Sequence, residues 1–145
     1  MGNYIDQSDL DVYLTEAALI NLTDDDGNGT VDTAIVDECI VAAESEVDSY
    51  ISKRYTTPIT GTIPETVKEW AVQLTTVRIH LRNLPMPPDI WELALVARAQ
   101  LKLVNDGTLS LDIGTDPPDE PSDREAQFNS NTRQFNRPNM TGSGW

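Results

Sequence analysis

Residues 32–54 read DTAIVDECIVAAESEVDSYISKR, and this stretch decides the fold. Ile35, Cys39, Ile40, Ala43, Val47, Tyr50 and Ile51 recur at three- and four-residue steps, the spacing of one face of an α-helix. Asp37, Glu38, Glu44, Glu46 and Asp48 occupy the remaining face, where carboxylates would meet water. Asp32 or Thr33 is a fitting N-cap, and the pattern runs unbroken to about Arg54. A long amphipathic helix of this kind must bury its stripe against other helices.

Those partners are legible on both sides. Upstream, Thr23-Asp24-Asp25-Asp26-Gly27-Asn28-Gly29-Thr30 consists of turn formers and reads as a loop. Before it, a second short helix is expected from about Thr15 to Leu22, and a first from an N-cap at Ser8 through Leu10, Tyr13 and Leu14. Downstream, residues 56–63, with Pro58 and Gly61, read as an extended crossing loop. Pro64 fits the first position of a helix to about Arg82 that buries Val67, Trp70, Ala71, Leu74, Val77 and Leu81. Leu84-Pro85-Met86-Pro87-Pro88 breaks it. A last helix runs from about Pro88 to Asn105 on a stripe of Ile90, Trp91, Ala94, Leu95, Ala97, Leu101 and Val104, and stops at Asp106-Gly107. Ile40, Val47, Trp70, Leu74, Leu95 and Leu101 are expected to be buried together. Leu109-Ser110-Leu111-Asp112-Ile113 alternates and predicts one short strand, which would need a partner.

The fold class is therefore all-α: a small helical bundle of two short N-terminal and three longer helices, with a short strand, over residues 1–113. From residue 114 the composition changes. Pro117, Pro118, Pro121 and Pro138 stand among Asn and Ser with few aliphatics, so 114–145 reads as an extended C-terminal arm without a core. At 145 residues the chain has the size of one domain.

Ten Lys+Arg against twenty-four Asp+Glu give a net charge of −14. That excludes a general nucleic-acid binder, which needs a basic face, and a surface drawn to anionic lipid. The charge is uneven. Residues 1–52 hold thirteen acids and no Lys or Arg, whereas residues 126–145 hold Arg133 and Arg137 and no acid. Such a directed surface repels a polyanion or orients subunits; the plainer reading is solvated helix faces. No apolar run approaches the ~18–20 residues of a membrane span, and the first residues lack a secretory or myristoylation pattern.

An enzyme is not expected. The single Cys39 excludes a disulfide framework and falls on the apolar stripe, and the single His80 lies mid-helix beside Ile79 and Leu81. There is no Gly-rich phosphate loop after a strand and no nucleophile elbow. One segment carries possible metal chemistry. Asp24-x-Asp26-x-Asn28-Gly29-Thr30-Val31-Asp32 matches the first nine positions of a helix-following calcium loop, because hard cations need clustered oxygens. Ile35 stands where the bidentate Glu should be, which lowers any calcium affinity toward ~10⁻⁴–10⁻³ M. Two readings stand: a weak Ca2+ site at Asp24, Asp26, Asn28, the Thr30 carbonyl and Asp32, or an Asp/Asn turn leading into a helix cap. No cofactor is required in either.

The order of parts resembles the small head–tail connector (adaptor, or head-completion) proteins of tailed bacteriophages, in their Mu-like branch. The matching features are the stretch from Tyr4 to Leu14, the Leu22-Thr23-Asp24…Asp26-Gly27-Asn28-Gly29 loop, and a long helix ending Ser49-Tyr50-Ile51…Arg54-Tyr55. Pro58-Ile59, the Pro64-Glu65 helix start and the closing Arg133-Gln134-Phe135…Met140-Thr141-Gly142 also fit. The resemblance implies a structural protein of the virion neck, made in the host cytoplasm. About twelve copies would form a homo-oligomeric, dodecameric ring on the portal protein. The ring would extend the DNA channel without sequence-specific binding and dock tail, stopper or tail-terminator proteins; no membrane is involved. Arg133, Phe135, Arg137, Met140 and Trp145 are the anchors expected to meet the portal or a neighbouring subunit, since Arg and aromatics dominate interfaces. The alternative is a calcium-responsive helical binding module built on the Asp24–Asp32 loop.

Overall fold

The computed structural model describes residues 2–113. A 3-10 helix, Gln7–Val12, is followed by four α-helices: α1 (Glu16–Thr23), α2 (Thr33–Ile51), α3 (Glu65–Leu81) and α4 (Pro88–Asn105). The all-α expectation holds. The expected arm from residue 114, with Arg133, Phe135, Arg137, Met140 and Trp145, lies outside the described residues.

Helix α3 is the centre of the bundle and touches each of the other four elements. Every residue from Trp70 to Val77 is buried, so no side of this helix is left for water over two turns. Such a position demands that its polar side chains bond internally. The Thr75 and Thr76 hydroxyls donate to the carbonyls of Ala71 and Val72, and the Trp70 indole N–H donates to Gln100 of α4. Helix α2 begins as expected, with the Asp32 carboxylate accepting from the backbone N–H of Ala34 and Ile35. It buries Val36, Ile40, Ala43, Val47 and Ile51.

Five expectations need correction. Ile35, Cys39 and Tyr50 are half-buried, and Val36, absent from the predicted stripe, is fully buried; the seam is rotated by about 45° round the helix, while Ile40, Ala43, Val47 and Ile51 stay within it. Glu44 is not on the solvated face: it is 2% exposed. On α4, Trp91 is 43% and Leu95 51% exposed, and Leu81 at the end of α3 is exposed too. The contact with α2 and α3 is made by Ala94, Ala97, Leu101 and Val104, whose two alanines let the helices approach closely. The first short helix is capped by Asp6 rather than Ser8: Asp6 accepts from the Ser8 N–H while its own N–H donates to Asp9.

The fifth correction concerns residues 109–113, which form no strand; none occurs among the described residues. Helix α4 ends in a Schellman motif, with the Thr108 N–H on the Leu103 carbonyl and the Gly107 N–H on that of Val104. The left-handed turn at Gly107 (φ +78°) sends the chain back over the bundle. There Leu111 is buried and its N–H donates to the Tyr55 hydroxyl at 2.8 Å. The alternation thus marks one inward residue held by a tyrosine.

Candidate assembly surface

Two acidic side chains of α2 make the body rigid. Glu46 reaches both neighbouring helices: its carboxylate accepts from Arg78 of α3 at 2.8 Å and from Arg98 Nε of α4 at 2.6 Å. Partial burial opposes its ionisation, but the Arg98 hydrogen bond and charge, followed by those of Arg78, outweigh it and hold the carboxyl below its ordinary range. Glu44, two residues earlier, has a different task. Its carboxylate accepts three backbone N–H groups from the N-terminal strap, Asn3 at 2.7 Å, Tyr4 at 2.7 Å and Ile5 at 3.1 Å. Gly2 passes so close that a Cβ there would stand 2.1 Å from Glu44 Oε1.

Tyr4 extends that clip across the bundle. Its hydroxyl donates to Asp48 and accepts the Ile59 N–H at 3.0 Å, tying the strap to both α2 and the crossing loop. Burial, and then Asp48, push the phenol far above its ordinary pKa. Burial also raises Asp48, against the lowering effect of the Tyr4 bond.

In the Asp-rich loop, the oxygens serve the loop itself. Asp24 accepts from the N–H groups of Asn28 and Gly29, Asn28 from the N–H and hydroxyl of Thr30, and Asp32 caps α2. Asp24, Asp26, Asn28 and Asp32 do border one shallow depression of about 220 Å³, with Asp25, Val31 and Thr33. Among the described residues no three His, Cys, Asp or Glu side chains are grouped to hold a metal. Arg82 pairs with Asp25 and Asn83 donates to the Leu22 carbonyl, so the end of α3 fastens the loop. His80 Nδ1 lies 2.9 Å from the Thr76 carbonyl, a bond within its own helix. Cys39 is half-buried, and that burial pushes its thiol up.

The outer surface is where the body departs from ordinary. Trp91, Leu95, Val96 and Leu103 are all exposed on α4, on the side away from Ala94, Ala97 and Leu101. At 100° per residue they fall with Ala99 on one face, into which Lys102 and Glu92 are interleaved. A second apolar spot is Val12, 77% exposed, beside Tyr13 and Val72 in a groove of about 350 Å³ between the 3-10 helix and α3. Neither was legible as a surface, because apolar residues at helical spacing read as core. The usable signal was that α4 is apolar nearly all round, whereas a helix at the edge of a bundle needs only one buried stripe.

Among the described residues no helix is long and apolar enough to cross a membrane. Residues 4–130 match the family model described as Bacteriophage Mu, Gp36. A comparison with curated proteins finds no match.

Proposed function

The chain belongs to the Bacteriophage Mu, Gp36 family, and on that premise we propose that it is a structural adaptor of the virion neck, assembling as a ring between portal and tail. The observation that carries this reading is the contrast on the folded body. Residues 2–113 hold nineteen acids against seven bases, a net charge of −12, yet the outer face of α4 is a band of exposed Trp, Leu and Val. An acidic body beside a DNA conduit repels the polyanion and lets it pass. An apolar band on so charged a body suits a protein that is completed by neighbours.

The rigid construction supports the same reading. Glu46 locks α2, α3 and α4 together, and Glu44 with Tyr4 fastens the strap, so the body can present fixed faces to subunits on either side. Residues 126–145, basic and with Phe128, Phe135, Met140 and Trp145, act in this reading as an arm that reaches the portal or a neighbouring subunit. Size-exclusion chromatography of the protein with portal protein, followed by imaging of the particle neck, tests it. Co-elution and a ring of density below the portal are expected. A protein that neither binds portal nor occurs in the virion overturns the proposal.

A further inference from the structure

Resting on the ring reading, we infer that the outer face of α4 docks head to tail into the groove between the 3-10 helix and α3 of a second copy. A ring closed by rotation needs two different, complementary patches on each chain, placed on opposite sides. The described residues hold such a pair. Trp70 of α3 faces α4 through its bond to Gln100, whereas Val72, two residues on and so about 200° round the helix, lines the groove. The two patches therefore flank α3 on opposite sides. They also differ in form: one is a protruding helix face led by a tryptophan, the other a depression of about 350 Å³ with Val12, Tyr13 and Val72 in its lining.

Charge favours the same docking. Asp9, Glu65 and Glu69 line the groove with Lys68, and Lys102 and Glu92 stand within the α4 face. Each surface therefore carries a cation and a carboxylate to offer the other: Lys102 to the groove's acids, and Glu92 to Lys68. Two copies of the α4 face laid against each other would leave both grooves, and Val12, in water. Trp91 is the expected main anchor of the contact, since tryptophans buried among apolar neighbours contribute most to such interfaces.

Cross-linking with a short bis-maleimide in a Cys39→Ser background separates the possibilities. Leu95→Cys and Val12→Cys are made singly and together, and treated both free at high protein concentration and bound to portal protein. An equimolar mixture of the two single variants should give dimers and nothing larger, because each pair has one reactive junction. The double variant should give a ladder of dimers, trimers and higher species. Trp91→Ser added to the double variant should remove the ladder with little change in melting temperature. Self-cross-linking of Leu95→Cys alone would overturn the proposal in favour of face-to-face pairing. A double variant that stays monomeric in both conditions would overturn it too. Portal co-elution is scored separately, so failure of this contact and failure of the adaptor reading give different results.

Discussion

At the scale of single residues, Glu44 shows how backbone groups can satisfy a buried carboxylate. Three backbone N–H groups surround its carboxylate, and its removal strands the two buried ones, those of Tyr4 and Ile5, rather than deleting one contact. Glu44→Ala should destabilise the body by roughly 2 kcal/mol or more, at ~1–3 kcal/mol for each stranded donor. Urea unfolding measures it, and a loss under ~1 kcal/mol would mean the strap finds other acceptors. Tyr4 adds a dependence on alkaline pH. Its phenol is raised in the folded state, so its contribution is fully present below the ordinary tyrosine value of about 10 and is lost as pH rises through the folded value. Tyr4→Phe should remove part of the fall in stability between about pH 10 and 12, while lowering stability at neutral pH because the Ile59 N–H loses its acceptor. An unchanged alkaline slope in Tyr4→Phe would assign that fall to other groups. Glu46 works in the opposite direction. Its folded pKa is depressed, so its clamp is present above the ordinary glutamate value of about 4.3 and is lost as pH falls below it.

At the scale of elements, the helices were readable because periodicity, caps and stops agree: Asp32 before α2, Pro64 before α3, and Gly107 after α4. Leu74→Ala in the buried run of α3 should cost ~2–5 kcal/mol with the helical dichroism retained. Gly107→Ala should cost ~1–3 kcal/mol, since alanine strains at a positive φ and its Cβ would meet Arg54 Nη1 at 1.9 Å. A thermal melt matching wild type would mean that Arg54 moves aside and the turn relaxes. What periodicity could not supply was rotation. Helix α4 has apolar residues on two sides, and the side that turns inward was settled by alanines that fit against α2 and α3, not by the larger Trp91 and Leu95. Glu44 was misread for a related reason. Its partners are backbone groups some forty residues earlier, which leave no mark in the residues around it. The 109–113 alternation misled because one buried position, Leu111, produces the same pattern as a strand edge.

At the scale of the whole molecule, the described residues share one core. It runs from Tyr4 to Leu111, with Ile113 packed against it, and Glu46 ties three helices with two ion pairs. Residues 126–145 carry the opposite charge to that body, and their sequence is poor in aliphatic side chains. In the proposed ring the two parts have separate duties: the body supplies the α4 face and the groove, and the arm supplies attachment. Truncation after Ser122 should therefore leave the melting temperature within a few degrees of wild type, as expected when less than ~1 kcal/mol of stability is removed. The same truncation should abolish ring formation on the portal. A melting temperature that falls together with assembly would place the arm on its own body as part of the fold. A truncated chain that assembles normally would remove the arm from the interface and leave the α4 face and the groove to hold the ring alone.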